Sequence, residues 1–172
     1  MKICQFTLDD DLKRYNFSHN SNIIGNPLRI LSMYSQDRSQ FRQAFCDVYT
    51  KLHNKTFMDP LELQLARVIE IHPEYHTLLA DPETALDKDF PAEAGQTNPF
   101  MHMSMHLAIR EQAATDRPSG IQAIHQKLVR KLGESEAEHQ MIDCLAPLLW
   151  AAQHSKTPLN ESLYRSCLYK LI

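Results

Sequence analysis

Asn98-Pro99-Phe100-Met101-His102-Met103-Ser104-Met105-His106-Leu107-Ala108-Ile109-Arg110-Glu111 is the stretch from which the fold is read. Asn98 is a residue type that caps free backbone N–H groups, and Pro99 suits the first helical position, where its missing N–H costs nothing. The segment therefore reads as a helix to about Ala114. Residues four apart on a helix lie one turn apart on one face, so His102, Met105, His106 and Ile109 point the same way. A face that should meet a core carries two imidazoles, and these need a chemical reason.

The flanking segments repeat the helical period. From about Gln36 to Leu52, Phe41, Phe45, Val48, Tyr49 and Leu52 form a stripe, with Arg38, Arg42, Asp47 and Lys51 largely off it. Asp59-Pro60-Leu61-Glu62 combines a cap, a first-turn proline and a capping-box glutamate. Leu65, Ile69, His72, His76 and Leu79 continue that face, and Pro73 predicts a kink or break at His72. Asp81-Pro82-Glu83 ends this segment or begins a short new turn, and residues 83–97 read as loop. Thr115-Asp116-Arg117-Pro118 resets the chain for a helix with Ile121, Ile124, Leu128 and Leu132 on its stripe, stopped at Gly133. Ser135-Glu136-Ala137-Glu138 reads as a second capping box opening a long helix, which Pro147 should kink. A last helix is expected from about Glu161 to Leu171.

The fold class is thus all-α: a compact helical bundle of about five to six helices with proline kinks, over residues 34–172, preceded by an irregular N-terminal arm over residues 1–33. Four glycines in 172 residues leave little room for tight β-turns. A formal net charge of −3 argues against a protein held to nucleic acid mainly through phosphates. The small basic face of Lys127, Arg130 and Lys131 reads as solvated surface. Cys4, Cys46, Cys144 and Cys167 are scattered, so reduced thiols in the cytoplasm are expected. No apolar run approaches the ~20 residues a bilayer requires, so no membrane partner is expected. Asp9, Asp10 and Asp11 stand where a leader would carry its apolar core. Homo-oligomerisation stays open.

Nine histidines are the outlier of the composition. Three segments put metal-type ligands on core-facing stripes: His72 with His76, His102 with His106, and Glu136 with His139. Pairs one turn apart on facing helices are how bundles hold metals. Glu74, Glu111 and Glu138 are candidates for carboxylates that fix the imidazole tautomers. Imidazole with carboxylate suits zinc, iron, manganese or nickel. Met101, Met103 and Met105 read as core filling rather than as soft ligands for copper, because Met103 points away from the histidine face.

His72-Pro73-Glu74-Tyr75-His76, the stretch from Asn98 through Gln112, Thr115-Asp116-Arg117-Pro118 and Ala137-Glu138-His139, followed by Cys144-Leu145, Trp150, Ala152 and Gln153, resemble the bacterial family called domain of unknown function 1841. The resemblance runs from about Met33 to the C-terminus. It implies a small bacterial cytosolic protein and supplies no reaction. Ser135 stands where the resemblance leads one to expect a further histidine.

Two functional readings follow. The first is a transition-metal site drawn from His72, His76, His102, His106, His139 and Glu136, with the catalytic residues and the reaction undefined. The second is a non-enzymatic interaction or scaffold protein whose histidines form structural hydrogen bonds to Glu74, Glu111, Glu138 and backbone carbonyls.

Overall fold

Capping chemistry sets the helix starts. Asp59 Oδ1 accepts from the backbone N–H groups of Leu61 and Glu62 at 2.8 and 2.9 Å, and Glu62 Oε2 accepts from the Asp59 N–H at 3.0 Å. Asn98 Oδ1 serves Phe100 and Met101 at 3.1 and 3.3 Å. Asp81 and Asn160 serve Thr84 and Leu163 in the same way. Each of these residues satisfies donors that a helix leaves open at its first turn.

The computed structural model describes residues 38–90 and 97–172. These hold eight α-helices: α1 Arg38–Asn54, α2 Pro60–Glu70, α3 His76–Leu79, α4 Pro82–Asp87, α5 Pro99–Thr115, α6 Ile121–Leu132, α7 Glu134–Ser155 and α8 Glu161–Tyr169. A 3-10 turn, Pro73–Tyr75, lies between α2 and α3. No strand occurs among the described residues, and none of their helices is long and apolar enough to cross a membrane. The expected N-terminal arm, and the loop residues Pro91 and Gly95, lie outside the described residues.

The all-α expectation holds, and the count of five to six helices does not. Pro73 ends α2 altogether, because its ring cannot follow the preceding turn, and the chain resumes as the 3-10 turn and α3. Asp81-Pro82 is the same cap-and-proline pair that starts α2, and it supports the two turns of α4 where loop was expected. The predicted capping box at Ser135 is also corrected. Helix α7 begins at Glu134, so Ser135 lies inside it, and Glu138 turns into the interior instead of back to a cap. The helix continues across Pro147 to Ser155.

Helix α5 is the axis of the fold, packed against α2, α6 and α7. Thirteen of its seventeen residues are buried, so it has no solvent face of the kind an amphipathic helix keeps. Met101, Met103 and Met105 are all buried in the core cluster, in line with a filling role. Helix α5 ends at Asp116, in the left-handed region at φ 51°, whose carboxylate accepts from the N–H groups of Gly120 and Gln122 and leads the chain into α6.

Two further features were not anticipated. Arg42, read as off the stripe, is fully buried. Its guanidinium donates to the carbonyls of Ala85, Leu86 and Lys88 at 3.0, 3.0 and 2.8 Å, closing the C-terminal end of α4, and it lies over the rings of Phe90 and Phe100. Cys144 and Cys167, expected as separate reduced thiols, are joined in a disulfide between α7 and α8. Their helices pack side by side, which a reading of dispersed spacing does not reveal. Cys46 is a buried free thiol.

Candidate metal centre

Three elements meet beside the middle of α5. Helix α5 supplies His102 and His106, one turn apart. The first turns of α7 supply Glu138 and His139. The junction just after α2 supplies His72, which adopts φ −124° and ψ 63° as the residue ahead of the 3-10 turn. That break separates His72 from His76. The His72 ring joins the α5 pair, whereas His76 Nε2–H turns back to donate to the Ile69 carbonyl at 2.9 Å.

One ring nitrogen from each of His72, His102, His106 and His139 lies within 4.8 Å of the others. His102 Nε2 is 3.3 Å from His106 Nε2 and 3.2 Å from His139 Nε2. The His72 ring centroid is 4.7 Å from those of both His102 and His106, and 5.6 Å from that of His139. His72, His102 and His106 are buried, and His139 is half-buried, so the cluster meets solvent on the His139 side. Tyr75, also half-buried, stacks on His72 at 5.4 Å.

The outer nitrogens decide the tautomers. His106 Nδ1–H donates to Glu138 Oε2 at 2.7 Å, and His72 Nδ1–H to Glu74 Oε1 at 2.9 Å. His139 Nδ1 lies 2.8 Å from the Ser135 carbonyl, which can only accept, so the proton sits on Nδ1 and Nε2 is bare. His106 and His72 follow the same logic. Bare Nε2 atoms thus face one another, and a single proton on His102 Nε2 satisfies one neighbour while leaving the other. His72 Nε2 is buried without a hydrogen-bond partner among the described residues. An arrangement of convergent lone pairs is costly when empty and suits a cation. A tetrahedral metal about 2.0–2.1 Å from each nitrogen spaces its ligands about 3.3–3.4 Å apart, close to the two Nε2 separations above.

Burial favours the neutral form of His72, His102 and His106. Burial first, then the neighbouring His106, His72 and His139, push the His102 pKa down to about 3. Burial also lowers His72 and His106, and Glu74 and Glu138 offset this only in part. For Glu138, burial alone acts to raise the pKa, but hydrogen bonds from His106 and Arg110 outweigh it and hold the carboxyl below its ordinary range. Neutral imidazole is the form that ligates metal.

The remaining candidates stand outside the group of four. Glu136 Oε1 accepts from Gln140 Nε2 at 2.9 Å. Glu111 is half-buried on α5, and its carboxylate bonds none of the four rings. Of the carboxylates suggested as tautomer-fixing, Glu74 and Glu138 contact ring nitrogens. Arg110 reaches α7, donating from Nε to Glu138 Oε1 at 2.7 Å and from Nη2 to Glu138 Oε2 at 3.1 Å. The available signal was its place four residues beyond His106, on the same face.

The chain belongs to the family described as Domain of unknown function (DUF1841), which matches residues 37–170. No curated protein and no solved structure matches the chain.

Proposed function

We propose that this member of the DUF1841 family is a metal-binding protein that holds one divalent transition-metal ion between His72, His102, His106 and His139. The observation that carries this reading is the convergence of four buried or half-buried ring nitrogens within 4.8 Å while three of the rings turn their Nδ1 protons outward. A set made only of imidazoles suits zinc, iron or nickel better than manganese, which prefers carboxylate oxygen. Glu138 and Glu74 orient His106 and His72 and raise their basicity. A bound ion would supply Lewis acidity to any ligand reaching it from the His139 side.

The rival reading is a scaffold whose histidines serve as structural hydrogen-bonding groups. It draws on the partners that His72, His106 and His139 already have at Nδ1. It leaves His72 Nε2 without one. Elemental analysis of protein purified without an affinity tag separates the two. The metal reading expects about one ion per chain, lost in a His102→Ala/His106→Ala double variant that remains folded. Sub-stoichiometric metal that the double variant does not lower further sinks it.

A further inference from the structure

The charge around the cluster has a consequence for what else binds there. Imidazoles coordinate as neutral rings and bring no charge. Glu138, the one fully buried carboxylate among the described residues, is held by Arg110 through two hydrogen bonds, so its negative charge is already matched by a positive one. Glu74, on His72, is 55% exposed and shares its charge with water. Glu136 is bonded to Gln140, and Asp143 is exposed on the same helix. A divalent ion among the four rings therefore keeps an excess of positive charge in a site where three of the four ligand residues are buried. Uncompensated charge in such surroundings is expensive, and a small anion relieves it more than a neutral ligand does.

Resting on the reading above, we propose that the metal centre expands from its four imidazoles to five-coordination and takes a small anion as its fifth, exogenous ligand or substrate, entering beside the half-buried His139, with Arg110 as a positioning residue that sets the preference by neutralising Glu138. Hydroxide, a carboxylate and azide share this chemistry, and imidazole represents the neutral alternative. Arg110 acts through Glu138 and His106 rather than by touching the anion.

The test uses the full chain loaded with Co(II), whose visible bands report the ligand field, titrated separately with azide, acetate and imidazole. Saturable band shifts with azide and acetate, at lower concentration than with imidazole, support the proposal. In Arg110→Gln, Co(II) stays bound and azide affinity falls on the order of tenfold, as expected for removing one charge in a partly buried site, and Arg110→Lys restores it. Co(II) bands that neither azide nor acetate alters, or that imidazole alters more readily, overturn the anion proposal and leave the metal reading standing. Absence of Co(II) bands altogether refutes the metal reading and this inference with it. If Arg110→Gln does not fold, the comparison of azide with imidazole on the unsubstituted protein decides alone.

Discussion

Replacing His72 by leucine separates a metal ligand from a structural histidine more sharply than any other single change. His72 Nε2 is buried with no hydrogen-bond partner among the described residues, and Nδ1–H donates to a glutamate that is more than half exposed. An orphaned buried acceptor costs about 1–3 kcal/mol, and a net hydrogen bond contributes about 0.5–1.5 kcal/mol. Glu74 regains water when the ring is removed. The metal-free variant is therefore expected to be as stable as the parent, or up to ~2 kcal/mol more stable. With metal at about a hundredfold over its dissociation constant, the parent gains about 2.7 kcal/mol; a variant binding a hundredfold more weakly gains only about 0.4 kcal/mol. At about 2–4 °C per kcal/mol for a chain of this size, metal raises the parent's Tm by roughly 5–11 °C and the variant's by only about 1–2 °C. Thermal melts in chelator and in excess zinc read both numbers. A loss of stability in His72→Leu that is equal with and without metal refutes the reasoning, because it makes His72 a structural group. An equal metal-induced rise in both proteins refutes it as well.

Three other outcomes are expected. His72, His102 and His106 all have folded-state pKa values below the ordinary histidine value. The unfolded chain then binds more protons below about pH 6.5, so metal-free stability falls as pH drops from there towards the His102 value of about 3, by up to about 1.4 kcal/mol per pH unit for His102, with His72 and His106 acting in the same direction; urea unfolding in chelator across pH 4–8 measures the slope, and a flat profile contradicts the buried neutral cluster. Arg42→Met removes three charge-assisted bonds to carbonyls of α4 and is expected to destabilise by about 3 kcal/mol or more. Arg42→Lys should restore little, since one ammonium cannot reproduce the planar fork, and urea midpoints compare the two variants. Reducing the Cys144–Cys167 disulfide, which spans 23 residues, should lower stability by about 3 kcal/mol through the freed chain entropy, read as the shift in urea midpoint on adding a phosphine reductant.

Much of the fold can be read one helix at a time, because the signals are local. Asp59-Pro60 and Asn98-Pro99 announce helix starts at which both caps form in the structure, and Pro73 announces the break at His72. Where local rules fail, a distant partner has intervened. Ser135 and Glu138 have the spacing of a capping box, but Glu138 gains more from a buried imidazole and a guanidinium than from a helix end open to water. Arg42 looks like a surface residue until the carbonyls of α4 and the face of Phe100 are placed above it. The cluster sits between these cases. The i, i+4 pair on α5 follows from spacing alone. That His72 rather than His76 approaches it depends on how the chain turns after Pro73, which periodicity does not encode.

The four rings also put the site in an order of time. His139 is synthesised 37 residues after His102, a lag of roughly two to seven seconds at ~5–20 residues per second. During that interval the emerging chain already carries His72, His102 and His106 but lacks both the fourth ring and the carboxylate that orients His106. An ion captured early would be held loosely and could be exchanged for a better-fitting one before α7 arrives. Arrival of α7 delivers Glu138 and His139 together on adjacent positions, so orientation and closure come in a single event. An ion held by the four rings would then reflect which one is present when α7 docks.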